Sequence, residues 1–296
     1  MLLTSQTEQL GYFYGDKAAI EMLADAGFDS IDYSMFCMSD DAHILNTDGY
    51  KKYALSLKET AERKGVPFTQ AHAPFRFPID GGEDEYMKIL NKKVLRAIEV
   101  ASILGAEIIV VHPIHFRPYY ANKEFLKEFN IKYYKGLVPY CEKFGIKVAC
   151  ENMWQYSNKR HCITDSVCSQ PEEFCEYLDE IGSDFIVGCL DLGHCGLTNV
   201  EAQDALRKMG AKRIQALHVH DNNYLDDCHT LPGYGEMNWD EITKALADIN
   251  YAGNFTFEAD NFIKDAGSDI EISAYALKIM QKKGRNLIAQ IESYKK

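Results

Sequence analysis

Nine side chains able to hold a divalent cation stand at the ends of six successive strand-like stretches: His72, His112, Glu151, Asp191 with His194, His218 with Asp227 and His229, and Glu258. Imidazole nitrogens and carboxylate oxygens are natural ligands for such ions. The densest group lies in Leu217–Trp239, LHVHDNNYLDDCHTLPGYGEMNW. Leu217 and Val219 alternate there with His218 and His220, so the two pairs leave a strand on opposite faces. A polar loop with Asp227, Cys228 and His229 follows, and then a Pro232-Gly233 turn. One His or Glu at a strand end is more often a hydrogen-bonded core residue than a ligand. Nine at consecutive strand ends point to a metal site, because a buried charge is costly unless it is paired or coordinated.

Such side chains must be carried by elements that bring them together. The chain repeats one rhythm of β-rich stretch, polar loop and amphipathic helix. The expected strands are Met1–Gln6, Ser30–Phe36, Pro67–Pro74, Glu107–Ile114, Lys147–Met153, Phe185–His194, Ile214–Asp221 and Asn254–Ala259. Expected helices cover Asp16–Ala26, Thr47–Lys64, Asp84–Leu104, Asn122–Phe144, Pro171–Ile181, Asn199–Met209, Trp239–Ile249 and Ile270–Glu292. Thr198 with Glu201, and Asn238 with Glu241, read as helix starts. Gly65, Gly105, Gly145, Gly182 and Gly210 read as helix ends. Eight strand–helix units without a low-complexity linker predict an α/β fold, a single (β/α)8 TIM barrel over residues 1–296. A doubly wound open sheet ranks second, because no glycine-rich phosphate loop follows the first strand. In a barrel all nine residues converge on one mouth. Outward neighbours such as Ile109 and Val111, Val148 and Cys150, and Phe255 and Phe257 aim the titratable residues inward.

Composition narrows the function. The chain has 296 residues and a formal net charge of −12, which disfavours a nucleic-acid partner that relies on basic phosphate contacts. No apolar run is long enough for a membrane span, and the N-terminus lacks the pattern of a signal peptide. Nine scattered cysteines without a CxxC pair suggest reduced thiols and a cytoplasmic protein. Arg76, Arg117, Lys159 and Arg160 read as solvated cations, with phosphate or carboxylate binding as the sharper alternative. Cys189 reads as interior packing. Phe116, Tyr119, Tyr120 and the stretch Trp154–Tyr156 either line a pocket or pack.

The motifs QAHAP, VVHP, CEN, LDLGH, LHVHDN, DCH followed by LPGYG…W, and FEA, in this order, resemble the xylose-isomerase-like TIM-barrel superfamily over residues 67–260. Its members include sugar isomerases and epimerases, inosose dehydratases and metal-dependent abasic-site endonucleases. In the sugar-processing members one divalent ion sits on positions matching Glu151, Asp191, His218 and Glu258. His218 is preferred to His220 through the family spacing His-x-x-Asp, met by His218 and Asp221. In the endonucleases, positions matching His72, His112, His194, Asp227 and His229 complete a trinuclear zinc cluster. Two positions depart from the ketose 3-epimerases, where Ser157 and Tyr224 replace a Glu and an Arg.

The resemblance therefore implies a metal-dependent isomerase or epimerase of a sugar, sugar phosphate or polyol. Glu151 and Glu258 would pass a proton between adjacent carbons. His72, His112, His194, Asp227 and His229 would bind substrate or a second metal. Manganese or zinc comes first as the ion, with cobalt or magnesium behind. The expected partner is a small carbohydrate, with homo-oligomerisation left open. The alternatives are an abasic-site endonuclease-like phosphodiesterase with a multinuclear zinc cluster, and an inosose-dehydratase-like lyase.

Overall fold

Strands with Val, Ile and Phe on one face and small or polar residues on the other suit a closed barrel, with helices on the first face and packed side chains inside. The computed structural model, which describes residues 1–75 and 82–295, has this arrangement. In chain order the strands are β1 (Leu3–Gln6), β2 (Ser30–Ser34), β3 (Phe68–His72), β4 (Ile108–Val111), β5 (Lys147–Glu151), β6 (Trp154–Ser157), β7 (Cys162–Asp165), β8 (Ile186–Asp191), β9 (Ile214–His218) and β10 (Phe255–Phe257). Eight form one sheet in the order β10-β1-β2-β3-β4-β5-β8-β9, all neighbours parallel. The remaining edge is joined by a parallel bridge between Val219 and Phe257. There Val219 N–H donates to Thr256 O at 2.8 Å and Glu258 N–H to Val219 O at 3.2 Å. The fold is a (β/α)8 TIM barrel.

The two faces of the strands build two apolar clusters. Ile109, Val111, Val148, Cys150, Leu190, Leu217, Phe255 and Phe257 join the helices in the main core. Val110, Ala149, Val187, Cys189 and Ala216 form a smaller cluster. Their alternation with the first set places them inside the barrel. Cys189 is therefore a packing residue. All nine cysteines are free thiols. No described helix is long and apolar enough to cross a membrane.

Several boundaries differ from the sequence expectation. The sixth expected strand ends at Asp191, and His194 sits on a short helix, Leu192–Leu197, whose N-terminus Asp191 caps. Thr198 does not cap the next helix, which runs Ala202–Arg213 behind Glu201. Its hydroxyl instead donates to His194 O at 3.1 Å. Asn238 does cap its helix, accepting from Glu241 N–H at 3.3 Å. Gly65, Gly105, Gly145 and Gly182 end their helices in the left-handed region, whereas Gly210 lies inside Ala202–Arg213 at a kink. The stretch after β5 is not a plain loop, because β6 and β7 pair there as an antiparallel hairpin. Two short helices, Glu8–Tyr14 and Asp260–Ala266, follow β1 and β10.

Candidate metal centre

The last inward positions of the barrel strands meet at its C-terminal mouth. His72 ends β3, Glu151 ends β5, Asp191 ends β8 and His218 ends β9, while His112 and Glu258 directly follow β4 and β10. His218 Nδ1 lies 2.9 Å from both Glu151 Oε1 and Glu258 Oε2, and 3.9 Å from Asp191 Oδ2. The donor atoms of Glu151, Asp191, His218 and Glu258 all lie within 4.8 Å of one another. Further groups meet the same spacing, among them His72, His112 and Glu151, and His194, His220, Asp227 and His229. The structure thus brings all nine sequence-selected residues to one site.

The tautomers show what the groups are built for. His72 Nδ1 lies 2.8 Å from Ala73 O, His194 Nδ1 2.8 Å from Asn152 O, and His229 Nδ1 2.8 Å from Glu258 O. A carbonyl only accepts, so each Nδ1 carries the proton and each neutral ring keeps its lone pair on Nε2. Those Nε2 atoms face carboxylates: His72 to Glu151 Oε2 at 3.4 Å, and His194 and His229 to Asp227 Oδ2 at 3.6 and 3.2 Å. Lone pairs so opposed repel unless a proton or a cation lies between them. His72 Nε2, Glu151 Oε2 and Asp227 Oδ1 are also buried without a hydrogen-bond partner. The donor set therefore fits a divalent ion, and the Nδ1–carbonyl bonds are the supports that liganding imidazoles use.

Without an ion, protons must take its place. Burial alone would lower the His194 imidazole, but Asp191 and Asp227 raise it to about 10. His229 is raised in the same way by Asp227 against its burial. Burial would raise the Glu151 carboxyl, yet His218 and His112 hold it well below the usual carboxylate range. Glu258 is depressed too, by His218 and His229 against burial.

Several residues that hold the site carried no metal-like signal in the sequence. Asn152, next to Glu151, donates to Asp191 O at 2.9 Å and accepts from Asp191 N–H at 2.7 Å, clasping the ends of β5 and β8. Gln6 donates to Glu258 Oε1 at 3.0 Å. Asp32 accepts from Gln70 at 2.9 Å and lies 3.6 Å from His218 Nε2. Inward parity on β1, β2 and β3 was the available cue for Gln6, Asp32 and Gln70, and the CEN motif was the cue for Asn152. Asp221 accepts from Gly233 N–H at 2.7 Å, Trp239 Nε1 at 2.8 Å and Met237 N–H at 3.1 Å, so it folds the LPGYG…W segment.

A cavity of about 790 Å³ opens above the cluster, with Phe36, Phe75, Trp154 and Tyr156 among its aromatic walls. Trp154 Nε1 donates to Asp227 Oδ2 at 3.1 Å, so the hairpin wall is tied to the cluster. His115 also lines the cavity, and burial lowers its imidazole to about 4. Tyr119 and Tyr120 instead bond Glu173 and Asp165. Arg117 pairs with Glu83 at 2.6 Å, and Lys159 and Arg160 are exposed at the hairpin turn. Arg76 lies outside the described residues. Ser157 ends β6 within the hairpin, and Tyr224 packs against Gly196.

A family model described as a xylose isomerase-like TIM barrel matches residues 20–282. The chain is 30% identical over 271 residues to an uncharacterized protein of Methanocaldococcus jannaschii, spanning 90% of this chain and 86% of that one. It is 26% identical over 266 residues to a D-psicose 3-epimerase of Enterocloster bolteae, spanning 87% and 80%. Among solved structures it resembles the IOLI protein with a binding zinc atom, with a TM-score of 0.73, 16% identity and coverage of 98% and 99%. That last likeness concerns the fold alone.

Proposed function

The chain belongs to the xylose isomerase-like TIM-barrel family, and from that footing we propose that it is a divalent-metal-dependent isomerase or epimerase of a sugar, sugar phosphate or polyol. The observation that carries the reading is the meeting of Glu151 and Glu258, from non-adjacent strands, at 2.9 Å on one imidazole nitrogen beneath the cavity. Glu151, Asp191, His218 and Glu258 would hold the ion, with manganese or zinc ahead of cobalt or magnesium. When bound, the ion supplies Lewis acidity to a carbonyl and its neighbouring hydroxyl.

The side chains supply the rest. A carboxylate held ionised in a buried site can take the proton from a carbon beside a carbonyl. A second carboxylate can return one to the adjacent carbon or to the opposite face. Glu151 and Glu258 are suited to those two roles. His194, steadied through Nδ1, can present Nε2 to a substrate oxygen. The aromatic walls suit the C–H faces of a carbohydrate.

The adjoining groups that share Glu151 favour a second reading, a phosphodiesterase with several zinc ions. Charge weighs against it. Lys264 is the one lysine or arginine among the described residues lining the cavity, and the net charge is −12. A lyase would use the same proton abstraction and then expel a hydroxyl.

Metal analysis of the purified protein followed by NMR of ketoses and polyols in deuterated water tests the proposal. Deuterium entering at a carbon beside the carbonyl, with an isomeric product, is expected. Cleavage of abasic DNA at low salt without such exchange would reverse the ordering, and a dehydrated product would identify the lyase.

A further inference from the structure

We propose that His220 is a positioning residue for the cation site, fixing the Asp191 carboxylate and the plane of His229 without itself binding the ion. This rests on the metal-dependent reading above.

His220 is fully buried. Its Nε2 lies 3.0 Å from Asp191 Oδ1 and 3.1 Å from Oδ2. A carboxylate only accepts, so without an ion this nitrogen carries the ring proton, as His218 Nδ1 does toward Glu151 and Glu258. Ring geometry is what separates the two histidines. The lone pair is left on Nδ1, which is buried without a partner. Nε2 is thus engaged as a donor although a ring nitrogen of His220 lies within 4.8 Å of ligand atoms of His194, Asp227 and His229.

Ring geometry leads to the same role. The His220 and His229 rings are stacked, with centroids 4.0 Å apart and planes 8° from parallel. Two imidazoles that share one ion must converge edge-on so that the ion lies near both ring planes, and parallel stacked rings do not converge. His220 stands behind the liganding groups. Its hydrogen bonds set the rotation of Asp191, and its face sets the direction of His229 Nε2, which lies 3.2 Å from Asp227 Oδ2.

Gly193 makes the slot for this ring. A Cβ there would stand 2.0 Å from His220 Cε1 and 2.5 Å from each ring nitrogen. Gly193 is not in the left-handed region, so its backbone accepts alanine, and the three atoms nearest the added Cβ all belong to the His220 ring. The glycine of DLGH and the second histidine of HVH thus form one packed unit.

Zinc and manganese affinities measured by competition with a chromophoric chelator, on wild type, His220→Ala, His220→Gln, Gly193→Ala and the Gly193→Ala/His220→Ala pair, test the role. His220→Ala is expected to weaken binding about 10–100-fold, the usual effect of losing a group that supports a ligand, with unchanged stoichiometry and circular dichroism. His220→Gln, whose amide can donate toward Asp191, should recover part of the loss. Gly193→Ala alone should weaken binding as His220→Ala does, and should add nothing once the imidazole is gone. Wild-type affinity in His220→Ala, additive losses in the pair, or the loss of one whole ion in His220→Ala would overturn the positioning role. A wild-type protein that takes up no ion would overturn the metal-dependent reading and this inference with it.

Discussion

Glu151 and Glu258 are held ionised by histidines in a buried site, and a proton-transfer role makes their substitution decisive. Glu151→Gln and Glu258→Gln preserve shape but remove the base. Each should lower turnover by at least about 10²–10⁴ while leaving the circular dichroism spectrum intact. Retained turnover in either variant would remove the two-carboxylate proposal. The histidines give a second prediction. The His194 imidazole is raised from 6.5 to about 10. In the ion-free protein its stabilising contribution is therefore fully present below pH 6.5 and is lost as pH rises through about 10. At neutral pH an incoming ion must displace such protons. Calorimetry in buffers of different ionisation enthalpy should record proton release on metal binding, with affinity falling as pH falls. Binding without proton release would contradict the raised His194 and His229 imidazoles, because a neutral ring protonated on Nδ1 already offers its Nε2 lone pair.

At the scale of elements, single polar side chains lock the loops that carry the ligands. Asn130, buried on helix Tyr119–Phe144, accepts from Ile114 N–H at 2.6 Å and donates to Ile114 O and Leu126 O at 2.8 Å each. It anchors the loop that carries His112. Asn130→Ala would strand both backbone groups of Ile114 and should cost about 2–4 kcal/mol in urea unfolding. The last helix, Ile270–Tyr294, is tied to the start of the barrel by Arg285, which bonds Asp29 at 2.6 and 2.7 Å. Asp29 also accepts from Leu3 N–H at 2.8 Å. The Arg285 hydrogen bonds, opposed by burial and aided by Leu3, hold the Asp29 carboxyl below its ordinary 3.8. Its contribution is thus present above pH 3.8 and lost as pH falls through the depressed value. Asp29→Asn should cost about 1–2 kcal/mol at neutral pH, limited by partial exposure, and the difference from wild type should shrink in acid. A pH-independent difference would assign the effect to packing.

Across the whole molecule, ion binding and folding are linked, because Glu151, Asp191, His218 and Glu258 from four strands must be in place together. A chelator should lower the melting temperature, and manganese or zinc should restore it. At about 100 times its dissociation constant an ion adds about 2.7 kcal/mol, or ~4 °C for a barrel of this size. An unchanged melting temperature would mean that the cluster is held by its protons alone. The barrel was legible in advance because strand alternation and the number of strand–helix units are local patterns, repeated often enough that boundary errors do not alter the count. Glu151, Asp191, His218 and Glu258 were legible because each closes an alternating apolar run. The roles of Asp32, Gln6, Asn152 and His220 were not, since nothing nearby in the chain marks which distant carboxylate or carbonyl each will meet. By itself the sequence determined the residue types at the mouth and the sheet that carries them, through periodicity and composition. Tertiary structure decided how the His218 ring is turned between Glu151 and Glu258, and that His220 meets Asp191. Those outcomes depend on ring tautomers and on a missing Cβ at Gly193, set by contacts across the barrel.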